Sequence, residues 1–293
     1  MAAEPTTTPA AAAGTVTFGD LTVGRMGLGA MRITGPGTWG PPADRDEAKA
    51  VLVRALELGV NLIDTAASYG PEVSEELIAE ALYPYPAGLV IATKGGLTRP
   101  GPGEWQRDGS PENLRSSLEG SLRRLRLERI DVYQLHSVDT RVPLEESVGA
   151  LAELQREGKI RHIGLSNVDT RQLATARGIV PIVSVQNRYN VADRHSEGVL
   201  EACEREGLVF MPWFPLAVGQ LAVAEGRLAQ VARAHGGTCA QVALAWLLRR
   251  SPVMAPIPGT SSVAHLEEDV ASTGLELTDA EFAELSRTSE AAL

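Results

Sequence analysis

The sequence predicts an α/β protein: a single (β/α)8 TIM barrel with an N-terminal β-hairpin and extra helices at its C-terminal end. Three observations carry this. From residue 15 to residue 258, short β-branched runs alternate with amphipathic helical stretches, and eight such units follow in series. All but one of the runs, the exception ending on Trp213, end on polar or small residues, at the face where a barrel mounts its functional loops. The rival architecture, a doubly wound open sheet, places a GxGxxG after its first strand. Here Gly27 and Gly29 are present, but the third glycine position is Arg32.

The elements follow in order. VTFGDLTV at 16–23 reads as a hairpin turning at Gly19-Asp20, and MGLG at 26–29 as the first barrel strand. Arg45–Leu58 has helical spacing and stops at Gly59. NLID is the second strand, Val73–Leu82 a short helix and LVIATK the third strand. Pro111 opens a helix that reaches Leu125, since proline suits an early helical position. IDVYQLH, KIRHIGLS, PIVSVQN, LVFMPW and VMAPIPG are strands four to eight, the last spanning 253–259. Between and after them, helices are expected at 143–157, 170–177, 196–206, 228–235, 239–250, 263–271 and 278–289. Residues 1–14, mostly Ala, Thr and Pro, read as a disordered tail before one domain over 15–293. That tail lacks the basic and Leu/Val-rich regions of a signal peptide.

Composition narrows the partners. Formal charge is −10, from 27 Lys and Arg against 37 Asp and Glu. No basic cluster marks a nucleic-acid footprint, so nucleic acid and anionic membrane are not expected partners. No run approaches about 18 apolar residues, so no membrane span is expected. Cys203 and Cys239 have no metal-type neighbours and read as buried thiols in a reducing cytoplasm, with a disulfide as second reading. No HExxH, paired cysteines or carboxylate cluster calls for a metal. A monomer or weak homo-oligomer acting on a small molecule is the expectation.

Four polar residues sit where apolar runs end. Asp64 and Tyr69 follow NLI, Lys94 follows LVIAT, and His136 ends IDVYQLH. A phenol is a poor acid at neutral pH, with an ordinary pKa of about 10. A neighbouring ammonium favours its phenolate, and a carboxylate can hold that ammonium in place. An imidazole can orient a carbonyl oxygen. The set suits protonation of an oxygen as hydride reaches its carbon. Each residue also has a plainer reading. Asp64 could cap a turn, Lys94 could form a Schiff base or bind phosphate, His136 could be structural, and Tyr69 could be a wall. Asn167 and Gln186 could simply tie strand ends together. Trp39 and Trp105 lie in polar or Gly/Pro-rich loops, as loop anchors or as substrate-pocket walls.

After residue 15 the chain resembles the aldo-keto reductase superfamily, through DTAASYG at 64–70, Thr93-Lys94, Leu135-His136, GLSN at 164–167 and VQNRYN at 185–190. The stretches at 29–42, 82–85 and 256–266 look like a narrower bacterial branch, described as pyridoxal-reductase-like (pyridoxine 4-dehydrogenase). The resemblance implies reduction of an aldehyde or ketone, with Tyr69 as general acid, Lys94 as its partner, Asp64 behind Lys94 and His136 steering the oxygen. It implies NADPH as cofactor, with NADH as the second candidate. Asn167 and Gln186, with Ser166 beside them, would hold the carboxamide. Trp213 takes the place of the usual stacking tyrosine, and Phe214 that of a common serine. Met31, Arg32, Pro215, Leu216 and Val218 would line the cofactor. Gly259 and His265 stand where a Lys and an Arg commonly hold the 2′-phosphate. Thr260, Ser261 and Ser262 could replace those contacts at a helix N-terminus. Glu268 matches an adenine-binding glutamate, and Asp269 stands where Asn is usual. Trp39, Tyr69, Trp105 and His136 would meet substrate, and three tryptophans point to a flat or aromatic one such as pyridoxal. Two alternatives stay open: a cofactor-sensing regulatory subunit with little turnover, and a Schiff-base aldolase using Lys94.

Overall fold

The computed structural model describes residues 8–216 and 226–287. Strands β1 (Thr15–Phe18) and β2 (Leu21–Gly24) pair antiparallel about the expected Gly19-Asp20 turn. The remaining long runs form one curled parallel sheet of seven strands. They are β3 (Leu28–Gly29), β4 (Leu62–Asp64), β5 (Val90–Gly95), β8 (Ile130–Leu135), β9 (Ile160–Ser166), β10 (Ile182–Arg188) and β11 (Val209–Trp213), side by side in that order. Every residue of β5 is buried, as expected of a parallel strand covered on both faces.

The eighth run closes the ring without forming a strand, which corrects the assignment at 253–259. Phe210 donates its N–H to Val253 O at 2.9 Å, and Ala255 N–H returns to Phe210 O at 2.8 Å. On the other side Gly27 and Gly29 donate to the carbonyls of Pro256 and Pro258 at 3.0 and 2.9 Å. Proline has a carbonyl but no N–H, so the segment accepts from β3 without completing a ladder.

Helices wrap the outside: α1 (Arg45–Glu57), α2 (Val73–Leu82), α3 (Pro111–Leu125), α4 (Leu144–Arg156), α5 (Thr170–Arg177), α6 (Glu197–Glu206), α7 (Arg227–Ala234), α8 (Cys239–Arg250), α9 (Val263–Ala271) and α10 (Asp279–Arg287). Their starts are set locally. Asp44 accepts from the N–H groups of Asp46 and Glu47, and Asp169/Gln172 and Thr238/Gln241 form capping boxes. A small hairpin, β6 (Leu97–Thr98) with β7 (Gln106–Arg107), was not expected from the polar loop 99–110.

Two apolar layers result. The barrel interior (Leu62, Val90, Val132, Val209, Met211) is floored by Val16, Phe18 and Val23 of the β1–β2 hairpin. The outer layer lies between sheet and helices and holds Trp246, Tyr189 and Phe210. The expected tail departs from its reading over residues 8–14. Pro9–Ala13 is a turn of 3-10 helix with Ala10 and Ala13 buried, and Ala10 N–H donates to Leu58 O at 3.1 Å. Small methyl side chains let it pack where a periodic pattern was absent; residues 1–7 lie outside the described residues.

Candidate active site

Parallel register places Asp64 beside Gly29 on one side and Ala92 on the other, at the C-terminal end of the sheet. Lys94 enters the same space from β5 and is fully buried. Its ammonium has three protons and three acceptors: Asp64 Oδ2 at 2.7 Å, Thr65 O at 2.9 Å and Tyr69 OH at 3.3 Å. The other carboxylate oxygen, Asp64 Oδ1, accepts from Gln134 Nε2 at 3.1 Å and Gln186 Nε2 at 2.8 Å. A buried ion pair is tolerable when its remaining lone pairs are bonded in this way. Gln134 was missed in the sequence. Its signal was present, since it lies two residues before His136 on a strand and so shares its face.

The Tyr69 and His136 rings meet edge to face, with centroids 5.8 Å apart at 81°. Ser68 Oγ lies 3.4 Å from His136 Nδ1. Burial pushes the Tyr69 phenol above its ordinary pKa, and the nearby Lys94 ammonium only partly offsets this. The expected tilt toward phenolate is therefore present but outweighed, and the phenol keeps its proton. For Lys94 burial alone would favour the neutral amine. Asp64, then Tyr69, reverses this and holds the group charged. Burial first, then the Lys94 charge, keeps the His136 pKa well below its ordinary value, so the imidazole is neutral.

A second set lies beside these four. Asn167 Nδ2 donates to His136 O at 2.9 Å and to Ser166 Oγ at 3.0 Å, and Asn167 Oδ1 accepts from Trp213 Nε1 at 3.0 Å. The indole is thus held by the strand end next to the catalytic candidates. Asn167 and Phe214 have φ of 58° and 64°, left-handed conformations that the surrounding structure must hold, and the Arg188 guanidinium lies 4.7 Å from the Phe214 ring centre. Gln186 departs from its simple expectation, because its Nε2 is committed to Asp64 and Oε1 is the end left for a carboxamide donor. Pro215 and Leu216 follow Phe214 into the loop; Val218 lies outside the described residues.

The last segment is less open to a phosphate than expected. Gly259 backs onto β3: a Cβ there would stand 2.8 Å from Gly29 O, so this position has no room for a longer side chain without backbone movement. Thr260 is buried and its Oγ1 accepts from Ser262 N at 3.1 Å. The first N–H of α9, at Val263, donates to Glu47 Oε1 at 3.0 Å. A carboxylate from α1 therefore already occupies a donor that was assigned to an anion. Exposed Arg32 and Ser261 stand near this corner, with Met31 half-buried beside Arg32 and His265 exposed on α9. Glu268 Oε1 accepts from Thr238 Oγ1 at 2.6 Å. Asp269 is buried at 5% exposure, and burial, reinforced by the Glu268 charge, pushes its pKa up to about 7.

Trp39 joins Gly70, the residue after Tyr69, in a parallel bridge. Trp105 is 42% exposed, and the guanidinium of Arg99 lies 3.8 Å from its ring centre and 5.4 Å from that of Trp39. Arg99 was not singled out in the sequence, because nothing local marks a cation that bonds three separate loops. Cys203 and Cys239 are buried and not joined to each other. Among the described residues no group of three or more His, Cys, Asp or Glu is placed to hold a metal, and no helix is long and apolar enough to cross a membrane.

Residues 25–290 match the aldo/keto reductase family model. An uncharacterized oxidoreductase of Schizosaccharomyces pombe is 51% identical over 276 residues, covering 94% of this chain and 90% of that protein. Pyridoxine 4-dehydrogenase of Escherichia coli is 46% identical over 271 residues, covering 90% of this chain and 94% of that one. Among solved structures, the glycerol dehydrogenase of Gluconobacter oxydans superposes with a TM-score of 0.84 at 29% identity, over 93% of this chain and 94% of that one. A Klebsiella pneumoniae aldo-keto reductase in complex with NADPH superposes at 0.80 with 30% identity, over the same shares, 93% and 94%.

Proposed function

The chain belongs to the aldo/keto reductase family, and from that premise we propose that it reduces an aldehyde or ketone to the alcohol, with Tyr69 as proton donor and a pyridoxal-like aromatic aldehyde as substrate. One observation carries the reading. The Tyr69 hydroxyl stands 3.3 Å from a fully buried Lys94 ammonium that is itself 2.7 Å from Asp64.

NADPH, when bound, supplies the hydride. The residues present fit it by the chemistry of their donors. Trp213 offers an indole face, Gln186 Oε1 and the Ser166–Asn167 pair offer carboxamide contacts, and Arg32 stands beside Gly259 at the phosphate corner. Tyr69 then delivers its proton to the carbonyl oxygen. Burial keeps that proton on the phenol until it is needed, and the Lys94 charge stabilises the phenolate left behind. Asp64 and Thr65 O fix the ammonium, while the two glutamine amides fix Asp64. The neutral His136 can donate a hydrogen bond to the same oxygen without adding a second charge beside Lys94. A Schiff-base role for Lys94 needs a free amine, and an ammonium with all three protons bonded is the wrong form. The aromatic substrate is supported by the 46% identity to pyridoxine 4-dehydrogenase and by the tryptophans at the mouth.

The test is a titration with NADPH, followed by tryptophan quenching, then turnover on pyridoxal for wild type and Tyr69→Phe. The two proteins should bind NADPH alike, and the variant should lose at least about a hundredfold in kcat. Wild-type turnover by Tyr69→Phe refutes the proton-donor role. NADPH binding by wild type without turnover on any carbonyl would move the protein to a sensing function.

A further inference from the structure

Arg99 directly follows β6 in the loop that leaves β5, is only 8% exposed, and among the described residues makes no ion pair with a carboxylate. Its guanidinium instead bonds four backbone carbonyls on three loops. Nε donates to Glu104 O at 2.9 Å, Nη1 to Thr38 O at 2.9 Å and Ser68 O at 3.2 Å, and Nη2 to Gly37 O at 3.3 Å. Desolvating a guanidinium without a counter-charge is costly, and the fork of parallel donors is suited to holding several acceptors at once.

The three loops follow β3, β4 and β5, and they meet beside Tyr69. The first is held in an awkward shape: Thr38, a β-branched residue, has φ of 58°. Two donors fix its carbonyl, Arg99 Nη1 and Gly70 N–H, the latter at 3.3 Å. Both indoles lie against the guanidinium, so Arg99 fixes the rings as well as the chain that carries them. Arg99 touches the peptide before Tyr69 through the Ser68 carbonyl, but the Tyr69 backbone has two further partners of its own. Its N–H donates to Ala66 O at 3.1 Å, and its carbonyl accepts from Ser74 N at 3.2 Å.

We infer that Arg99 is a positioning residue that fixes Trp39 and Trp105 as the walls of the substrate entrance, and so selects flat aromatic carbonyl compounds over small aliphatic ones. The inference rests on the reductase reading of the preceding section. A fixed indole gives a planar substrate a stacking surface worth up to about tenfold in affinity, while a short aliphatic aldehyde gains little from it. A lysine cannot substitute, being a point charge with neither a planar face nor a fork.

The experiment measures kcat and KM for pyridoxal and for butanal, with NADPH saturating, in wild type, Arg99→Met, Arg99→Lys and Trp105→Ala. In all three variants the ratio of kcat/KM for pyridoxal to that for butanal should fall about tenfold. The change should lie in the KM for pyridoxal, with kcat within about twofold. Arg99→Met combined with Trp105→Ala should lose less than the sum of the single effects, because both changes remove one unit. An equal loss on both aldehydes, an unchanged ratio or full additivity overturns the inference. Should Arg99→Met fail to fold, the ratio in Trp105→Ala decides. A wild type that reduces neither aldehyde brings down the reductase reading and this inference with it. A wild type that reduces both, with variants that keep its ratio, brings down the inference alone.

Discussion

Replacing Asp269 with Asn should make the stability of this protein less sensitive to pH, and the size of the effect follows from where the carboxyl lies. Asp269 sits on the buried side of α9 beside Leu266 and Val270, and Glu268 adds a like charge next to it. The folded carboxyl keeps its proton up to about pH 7, whereas in the unfolded chain it releases it near 3.8. Between those values the folded state binds more protons than the unfolded one, so stability falls as pH rises through the window. The gap from 3.8 to about 7, at about 1.4 kcal/mol for each tenfold change in proton affinity, sets a ceiling of about 4 kcal/mol. Local relaxation and water entry reduce such penalties, so about 2 kcal/mol is expected between about pH 5 and pH 8. Asn cannot ionise and escapes the penalty. Urea denaturation of both proteins at the two pH values reads it directly. Asp269→Asn should gain about 2 kcal/mol more, relative to wild type, at about pH 8 than at about pH 5. Parallel behaviour of the two proteins at both pH values would refute the buried-carboxyl argument.

Two further outcomes follow from the site. The kcat for carbonyl reduction should stay flat from about pH 6 to pH 9, because Tyr69 loses its proton above the ordinary phenol range and His136 gains one below the ordinary imidazole range. A bell centred near neutrality in the kcat profile would contradict those assignments. Gly259→Ala should destabilise the fold by about 1–3 kcal/mol, since the new Cβ meets a backbone oxygen that cannot move aside cheaply. A calorimetric Tm equal to that of wild type would show that the closing segment has slack.

How much of this was legible in the chain depends on range. β-branched runs and caps are local, so Val73–Leu82, Pro111–Leu125 and Thr170–Arg177 have the bounds that spacing predicts. Barrel closure then carries strand ends to one face, which is why Asp64, Tyr69, Lys94 and His136 are readable as a group from the sequence. Even the failure at 253–259 had a legible cause, two prolines that accept but cannot donate. Gln134 is equally visible by its alternation with His136.

The amino-acid order by itself determined the architecture and the identities of the four polar groups, because both rest on periodicity and on residue chemistry. Tertiary structure alone decided what those groups are bonded to. Gln186 reaches Asp64 across 122 residues of sequence, and Glu47 fills the start of α9 across 216. Arg99 gathers carbonyls as far as 62 residues away. Whether Tyr69 keeps its proton was likewise set by burial outweighing a neighbouring charge. Burial sums over every element packed around a group, and no local stretch of sequence contains that sum.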